Sequence, residues 1–585
     1  MNIEAPNIPP HRARHIELCE QVKTGETSIS KLVDELRGSL EGHRLADQFR
    51  YMRKIAARER KVFEKRAAAA IDRNLKPNDE GIPASALEAN MGLLHFASLI
   101  SPNIRLRARA GSGKSTALVI KCDFLINEIG IPPEAIQILT FNRAAADSLS
   151  GKLCDALGKD VGKKIGVNTF HSLASHVLQR YPETQRMTLK FKDEDRSEGE
   201  ILSDLRKSVL KVSMPRDYDA YRTRYYQSDF SYVARWPNFE DFIRAQSAKA
   251  TTLYRARQGG PTPVRPSPIS RHLERIAEDY EDRLRSTSTI DGEAGLREAA
   301  SILKSGAELP GFKRVTGGLQ FLFVDEFQDF SPAFSKLTQG VMARNPHCVL
   351  NAVGDDWQSI NAFMGADLTY FESLKNTYPA TLNLPLQTNW RCGKRIVELG
   401  NLVMTAPEGK EAVAGLPHEG RVRVHEGGIE KTFSNDDWHP KARDYLARHI
   451  DRMAQAAWAD DARAKRKPGK IAILASSNEP FGLGLGAYAQ LIDKSDGGVV
   501  QWSTAHSSKG VEWDHVILID AIATLYPVNH PASPISTDMI SQADLEAEAQ
   551  RLLYVAVTRA KHSLAILAPT ELHPLLVSAK ELAKR

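Results

Sequence analysis

The sequence lacks the features of a secreted or membrane-bound protein. Only five cysteines occur among 585 residues, and none of them forms a CxxC pair. An odd and scattered set argues against a disulfide framework and against a zinc site, and it favours a reducing compartment. The amino-terminal stretch MNIEAPNIPPHRARH has no apolar run suited to a signal peptide. No segment is apolar for long enough to span a bilayer, so we expect a cytoplasmic protein without a membrane partner.

A strong excess of charge of either sign is also missing. The net charge is +6, with 26% charged and 42% hydrophobic residues, which is ordinary for a globular protein. The total charge therefore says little about partners, and the positions of the basic residues matter more. At roughly 150 residues per domain, a chain of this length has room for about four units.

Short apolar runs, each followed by polar residues, alternate with amphipathic stretches from residue 103 onward. The clearest runs are IRLRA, IQILTF, LQFLFVDE, HCVLNAVGD, GKIAILAS and HVILIDA. Such runs are typical of buried parallel strands, and they predict an α/β fold. Residues 177–310 interrupt this rhythm with mostly helical, charged sequence. The polar first 85 residues include a basic helix, Arg50–Arg73, which we interpret as a solvated face, with docking to DNA or to a partner protein as alternatives.

A phosphate-binding loop is predicted in ARAGSGKST, which runs from Ala108 to Thr116. Ala108 stands where the strict P-loop pattern has its first glycine, but the strand before and the helix after are the required context. A chance Gly/Ser loop is the weaker interpretation. We expect Lys114 to reach the β- and γ-phosphates and Ser115 to ligate Mg²⁺. The predicted nucleotide-binding residues are Ala110, Gly111, Ser112, Gly113, Lys114, Ser115 and Thr116.

Two adjacent acids follow the apolar strand in FLFVDEFQD, from Phe321 to Asp329. Acids at the carboxyl end of a parallel strand face the crevice in which ligands bind. We expect Asp325 to hold Mg²⁺ and Glu326 to accept a proton from the attacking water. The alternative is a solvated acidic helix start, which the nearby P-loop makes less favoured.

The remaining motifs occur in the order of one helicase family. They are LTFNRAAADSL, NTFHSLA, GDDWQSINAFMGAD, TNWRC, STAHSSKGVEWDHV and RLLYVAVTRAK, with DEFQD after the second of them. Over about residues 86–570 the chain resembles superfamily 1 helicases of the UvrD/Rep family, and most of all the DNA helicase IV branch.

The resemblance implies two RecA-like P-loop domains with parallel sheets, a helical insertion in the first and a helical N-terminal extension. The expected division is an extension at 1–85, core 1A at 86–176 and 311–385, insertion 1B at 177–310, and core 2A at 386–585. The family's 2B insertion is expected to be absent, because Asn478 is followed almost directly by VVQWSTAHSSKG.

The resemblance also implies roles at the ATP site. Gln358 is expected to contact the γ-phosphate, and Arg391 and Arg559 to act as arginine fingers, because a planar guanidinium spreads positive charge over the transferring oxygens. Trp390 is expected to stack on adenine and Glu512 to bind the nucleotide. The two arginines lie in the second half of the chain, so catalysis needs two core domains to close on one ATP.

A single-strand channel is implied for residues in both halves of the chain. The expected DNA-binding residues are Phe141, Asn142, His171, Phe363, Thr504 and His506. Aromatic faces stack on any base, so binding would tolerate sequence, although Phe141 and Phe363 are also compatible with core packing. The stretch Tyr218–Trp236 interleaves arginine with aromatics, and DNA contact and helical packing are equally favoured there.

The resulting hypothesis is an ATP-dependent DNA helicase that uses Mg²⁺ and ATP to move 3′ to 5′ on single-stranded DNA. Its expected partners are single strands and junctions with duplex, and a protein partner at the N-terminal helices stays open. One rival is a DNA-stimulated ATPase switch in a larger repair or defence complex with a nuclease partner. A second rival, an inactive DNA-binding protein, is disfavoured by the complete set of catalytic residue types.

Overall fold

The computed structural model of the protein describes most of the two predicted core regions. The described residues are 60–74, 91–100, 103–184, 188–189, 278–279, 281–282, 284–312, 314–362, 365–379, 381–406, 410–429, 435–495, 497–523, 525–526 and 542–585. Phe363 and the arginine-rich stretch Tyr218–Trp236 lie outside these residues, so the roles expected for them remain predictions.

Helices and parallel strands alternate through the described residues. The strands are β1 Ile104–Ala108, β2 Ile136–Thr140, β3 Gly166–Thr169, β4 Thr188–Leu189, β5 Thr289–Ile290, β6 Phe321–Val324, β7 Val349–Gly354, β8 Leu382–Leu386, β9 Thr388–Asn389, β10 Val413–Ala414, β11 Arg421–Glu426, β12 Ile471–Ala475, β13 Val500–Thr504, β14 Trp513–Leu518 and β15 Ala560–Ala568. The α-helices are α1 Arg60–Asn74, α2 Met91–Ser98, α3 Lys114–Asp123, α4 Arg143–Leu157, α5 Lys159–Gly162, α6 Phe170–Leu178, α7 Gly292–Ser305, α8 Pro332–Arg344, α9 Thr369–Glu372, α10 Leu374–Thr377, α11 Lys394–Val403, α12 Asn435–Arg463, α13 Leu485–Gln490, α14 Gln542–Val557 and α15 Ala579–Lys584.

Two parallel sheets organise the molecule. The first has six strands in the order β3-β2-β6-β7-β1-β8, and the second has five in the order β11-β15-β14-β12-β13. The central strands β2, β6, β7 and β12 are buried along their whole length, as their continuous apolar runs predict. We call the parts built around the two sheets the first lobe and the second lobe, and they confirm the predicted α/β fold.

The edge strand β8 has no clear signal in the sequence. It reads LNLPL, with Pro385 inside it and with mostly exposed side chains. Proline cannot donate a hydrogen bond to a sheet, so it is tolerated only where one side of the strand is unpaired. Strand β8 pairs with β1 alone, which explains why it accommodates Pro385.

The basic N-terminal segment is described from Arg60 onward, as α1, and it has two different faces. One face packs into the core of the first lobe through Phe63, Ala67, Ala70 and Ile71. The charged face stays solvated, as interpreted, with exposed side chains at Lys65, Asp72 and Arg73. Apolar positions four and seven residues apart therefore decide which face of the helix is buried, even among many charges.

Helix α7 lies within the range predicted for insertion 1B, yet it belongs to the first lobe. It packs between α6 and α8, and its buried Leu296, Ala299 and Leu303 join the apolar cluster around Phe334. The helix at 292–305 is therefore part of the first lobe, and the extent of insertion 1B stays a prediction. Within the described ranges, no helix is both long and apolar enough to cross a membrane.

A buried polar cluster stabilises the second lobe around Asp461. Its carboxylate accepts hydrogen bonds from His515 Nε2 at 2.7 Å, from Arg466 Nε at 3.0 Å and from the Gly469 amide at 2.8 Å. Burial opposes ionisation, but these donors outweigh burial and lower the pKa of Asp461 to about 2. The folded carboxylate therefore binds a proton less readily than the unfolded one, whose pKa is about 3.9.

We expect Asp461→Asn to lower the free energy of unfolding by about 3 kcal/mol, because it breaks a buried charged cluster. Since the folded pKa is the lower one, the stabilisation is present above about pH 4 and is lost as the pH falls towards 2. Thermal unfolding measured between pH 2 and 7 should therefore show a Tm difference between wild type and variant that becomes smaller as the pH falls. Asp451→Asn is the matched control, because the hydrogen bonds that Asp451 accepts from described residues come from neutral groups, the Gln455 side chain and the Asp493 amide. An equal loss of stability in both variants would contradict the argument.

Candidate active site

The predicted phosphate loop connects β1 to α3, at the carboxyl edge of the first sheet. Gly111 and Gly113 have positive φ angles of 67° and 84°, which residues with a side chain adopt at a cost. A Cβ atom on Gly111 would lie 2.7 Å from Arg391 Cβ of the second lobe, so only glycine fits there. Helix α3 then begins at Lys114 and aims its amino terminus at the loop, where backbone N–H groups favour anions.

Lys114 and Glu326 meet directly. Lys114 Nζ donates to Glu326 Oε2 at 3.0 Å, and the same oxygen accepts from the side-chain amide of Gln328. Glu326 has a φ of 50°, an unusual value for a residue with a side chain, and Asp325 Oδ1 accepts from its backbone N–H at 2.9 Å. Backbone strain of this kind collects at functional sites, where the surroundings enforce the conformation.

The charges of this cluster shift its ionisation. Burial raises the pKa of Asp325, and the neighbouring Glu326 raises it further. Burial acts on Glu326 in the same sense, but Lys114 and Lys509 outweigh it and hold the pKa of Glu326 below its usual range. Burial lowers the pKa of Lys114, yet the surrounding carboxylates outweigh it and leave this pKa raised. Of the two acids, Glu326 is therefore the one that gives up its proton more readily.

Arg559 of the second lobe reaches the first lobe at Gln358. Its Nη2 donates to Gln358 Oε1 at 3.2 Å, while its Nε and Nη1 donate to the carbonyls of Val555 and Val511 at 3.0 and 3.2 Å. The side chain is 1% exposed. Burial, followed by the nearby charge of Arg391, lowers its pKa to about 10, so it stays protonated at neutral pH.

Arg391, Glu512 and Trp390 lie beside the phosphate loop. Arg391 Nε donates to Glu512 Oε2 at 2.6 Å, and Lys561 Nζ contacts the other carboxylate oxygen at 3.0 Å. These cations outweigh burial and hold the pKa of Glu512 below its usual range. The Trp390 amide donates to the Gly111 carbonyl at 2.8 Å, and its indole lies next to Gly415, where an added Cβ would be 2.6 Å from Trp390 Cε3. Trp390, which is expected to stack on adenine, therefore contacts the loop through its backbone, and Glu512, which is expected to bind the nucleotide, is held by Arg391 and Lys561.

Further contacts hold the two lobes together. Lys509 Nζ donates to Asp329 Oδ2 at 2.5 Å and to the Gln358 carbonyl at 2.7 Å. Arg551 Nε donates to the Ser359 carbonyl at 2.6 Å. The apolar core of the second lobe extends into Ala110, Trp357 and Ile360 of the first. Lys509 and Arg551 of the second lobe therefore contact the first lobe near its phosphate site. This agrees with the expectation that the two core domains close on one ATP.

The residues expected to bind DNA follow the carboxyl ends of strands in both sheets. Phe141 and His171 both make edge contacts with Phe334, with ring centroids 6.0 and 5.8 Å apart. Asn142 is exposed, and its Oδ1 caps helix α4 by accepting from the Ala145 amide at 2.8 Å. Thr504 Oγ1 accepts from the Ser507 amide in the turn after β13, which also carries His506. Nothing in the structure tests these DNA roles, and they stay predictions.

Sequence reasoning missed several residues that shape the site. Arg109 occupies a position that the P-loop pattern leaves open, yet it is buried and bound to Asp355 and Asp356 at 2.9 Å. Tyr554 Oη lies 3.4 Å from the Ala110 amide, and it accepts this weak hydrogen bond across the lobe boundary. Only the two aspartates in GDDWQ could have suggested a buried cationic partner, since a pair of buried carboxylates needs one.

Comparison with protein families decides the identity of this arrangement. The UvrD/REP helicase N-terminal domain matches residues 95–379, and the UvrD-like helicase C-terminal domain matches residues 487–570. The chain belongs to the UvrD/REP helicase family. The first match contains Lys114 and Glu326, and the second contains Arg559.

Relatives in this family are similar over much of the chain. DNA helicase IV of Escherichia coli is 25% identical over 479 residues, which are 78% of this chain and 64% of that protein. The ATP-dependent DNA helicases Rep of Buchnera aphidicola and UvrD1 of Mycobacterium leprae are 26% and 24% identical, over 53% and 59% of this chain. The chain spans 42% of each of these two relatives, so large parts of them have no counterpart in the alignment.

The residues of the loop fit a magnesium nucleotide. Within the described part of the chain, Ser112, which lies in the loop between Gly111 and Gly113, has a buried Oγ without a hydrogen-bond partner. Ser115 and Asp325 are the oxygen ligands that would hold Mg²⁺, a cation that prefers such donors and offsets phosphate charge. Lys114, Arg391 and Arg559 supply the protein's own positive charge.

Proposed function

We propose that this protein hydrolyses ATP to move 3′ to 5′ along single-stranded DNA and to separate duplex DNA ahead of it. The observation that carries the proposal is the contact between Arg559 Nη2 and Gln358 Oε1. It joins a cation of the second lobe to Gln358, which hydrogen bonds through Asp355 and Gln328 connect to Glu326. A site divided between two lobes lets ATP turnover open and close them, and such closure can drive movement.

Each side chain has a task in this proposal. Lys114 and the amino terminus of α3 bind the phosphates, which draws Lys114 away from Glu326 and frees that carboxylate. Glu326 then accepts a proton from the attacking water. Arg391 and Arg559 stabilise the charge that develops on the transferring phosphoryl group. Gln358 transmits the state of that group to the neighbouring turn, which Lys509 links to the second lobe.

The DNA part of the proposal uses the strand ends of both lobes. Phe141 and His171 would offer aromatic faces in the first lobe, and Thr504 and His506 polar groups in the second. Stacking tolerates sequence and contributes about 1–3 kcal/mol per base. Because the two sets belong to different lobes, closing on ATP would change their spacing and would advance the strand.

The test is ATP turnover of the full chain with and without single-stranded DNA, together with unwinding of duplexes that carry a 3′ or a 5′ tail. We expect turnover to rise with single-stranded DNA and unwinding to require a 3′ tail. ATP turnover that does not change when single-stranded DNA is added would contradict the proposal. DNA-stimulated turnover without unwinding of either substrate would reduce it to a translocase or a switch.

A further inference from the structure

Arg109 is a buried arginine in the middle of the phosphate loop. Its side chain is 1% exposed, and its Nη1 donates to Asp355 Oδ1 and to Asp356 Oδ1, both at 2.9 Å. The guanidinium lies over the Trp357 ring, 3.6 Å from the centroid. Stacking and two charge-assisted hydrogen bonds together hold a planar cation in one orientation. Arg109 therefore fixes the turn that follows β7.

Asp355 passes this constraint to Gln358. Asp355 is fully buried, and its Oδ2 accepts from Gln358 Nε2 at 2.6 Å. Gln358 Oε1 in turn accepts from Arg559 Nη2 at 3.2 Å. A carboxylate only accepts and a guanidinium only donates, so the glutamine amide has one orientation that satisfies both. The chain of contacts runs from the phosphate loop through Asp355 and Gln358 to Arg559.

The same arginine also touches the second lobe. Its Nε donates to the Lys410 carbonyl at 3.1 Å. The edge of Tyr554 packs on Trp357 with centroids 5.3 Å apart, on the ring that carries the guanidinium. Arg109 thus lies where the phosphate loop, the Gln358 turn and the second lobe meet. Separation of the lobes would remove two of its supports.

We propose that Arg109 is a positioning residue for ATP hydrolysis, which acts by holding Asp355 so that the amide of Gln358 points towards Arg559 and the transferring phosphoryl group. The inference rests on the proposed function and adds to it a link between the phosphate loop and Gln358. Without the guanidinium, Asp355 is a buried carboxylate that has lost its cationic partner. It then depends on its remaining donors, the side-chain amide of Gln358 and the backbone N–H of Trp357, and it holds Gln358 in a different position.

Arg107 provides a matched control two residues earlier in β1. Its Nη1 contacts Asp356 Oδ2 at 3.2 Å, its side chain is 24% exposed, and none of its described hydrogen bonds reaches Asp355. Loss of either arginine removes one cation from the same turn. Only the loss of Arg109 releases the aspartate that holds Gln358, so the two variants separate positioning from net charge.

The experiment is a double-mutant comparison of ATP turnover with single-stranded DNA present. Arg109→Met and Arg107→Met are each made in the wild type and in a Gln358→Ala background. Since misplacement of a reacting group by about 1 Å can cost 10²-fold, we expect Arg109→Met to lower kcat by roughly 10²-fold. Affinity for a non-hydrolysable ATP analogue should stay near that of the wild type. In the Gln358→Ala background, Arg109→Met should lower kcat little further. Arg107→Met should have a small effect on kcat in both the wild-type and the Gln358→Ala background.

The outcomes are distinct. If Arg109→Met lowers kcat by the same factor in both backgrounds, or does not lower kcat in the wild-type background, the positioning role is overturned. Should Arg109→Met fail to fold in a thermal melt, Asp355→Asn replaces it, with Asp356→Asn as its control, and the same dependence on Gln358 is expected. A wild-type chain without DNA-stimulated ATP turnover would instead overturn the proposed function, and the inference with it.

Discussion

Glu326→Gln is expected to lower ATP turnover by about 10³-fold, within the range that a positioned general base contributes. The amide keeps the size of the side chain and can still accept from Lys114, but it cannot take a proton from water. Nucleotide affinity should not fall, because Lys114 leaves a neutral amide for the phosphates more easily than it leaves a carboxylate. Steady-state turnover and binding of a fluorescent ATP analogue measure the two effects separately.

Asp329→Asn is the control for Glu326→Gln. Asp329 lies in the same DEFQD segment, is more deeply buried than Glu326, and pairs with Lys509 across the lobes. Its loss should weaken closure and lower turnover to a smaller extent, because no base is removed. If both variants lose turnover equally, charge in the segment matters rather than basicity at Glu326, and the assignment of the base is wrong.

The strands of the central sheets could be predicted from the sequence because their burial on both faces leaves an unmistakable run of apolar residues. FLFV, VLNAVG and IAILA appear as β6, β7 and β12, and acids or glycines mark the ends at which the site lies. The pairing of Lys114 with Glu326 follows from these ends, since β1 and β6 deliver their termini to the same edge.

Other parts of the site depend on contacts that no local pattern encodes. Arg109 stands where the phosphate-loop pattern accepts any residue, and only the approach of β7 shows that two aspartates enclose it. The link from Lys509 to Asp329 joins residues far apart in sequence on different lobes, so it follows from how the lobes meet. The partner of the apolar face of α1 could not be predicted either, because a helix rich in lysine and arginine shows its charged face in the sequence but not what its apolar face packs against.

Arg559→Lys is expected to lower turnover by about 10³-fold, the lower end of what an arginine finger contributes. The guanidinium of Arg559 is held on two sides by the carbonyls of Val511 and Val555, and its third direction reaches Gln358. A lysine ammonium keeps the charge but cannot span these three acceptors from one plane. Binding of single-stranded DNA, followed by fluorescence anisotropy, should remain close to wild type because no predicted DNA contact changes.

Arg551→Lys separates a lost finger from a loosened lobe interface. Arg551 also crosses between the lobes, where its Nε donates to the Ser359 carbonyl, but it has no described contact with Gln358. A conservative change there should weaken closure and lower turnover far less than Arg559→Lys does. Comparable losses of ATP turnover in the two variants would mean that Arg559 contributes by holding the lobes together and not by stabilising the phosphoryl group. Retained turnover in Arg559→Lys, combined with a large loss in Arg391→Lys, would assign the finger to Arg391, which must first leave Glu512 to reach the phosphates.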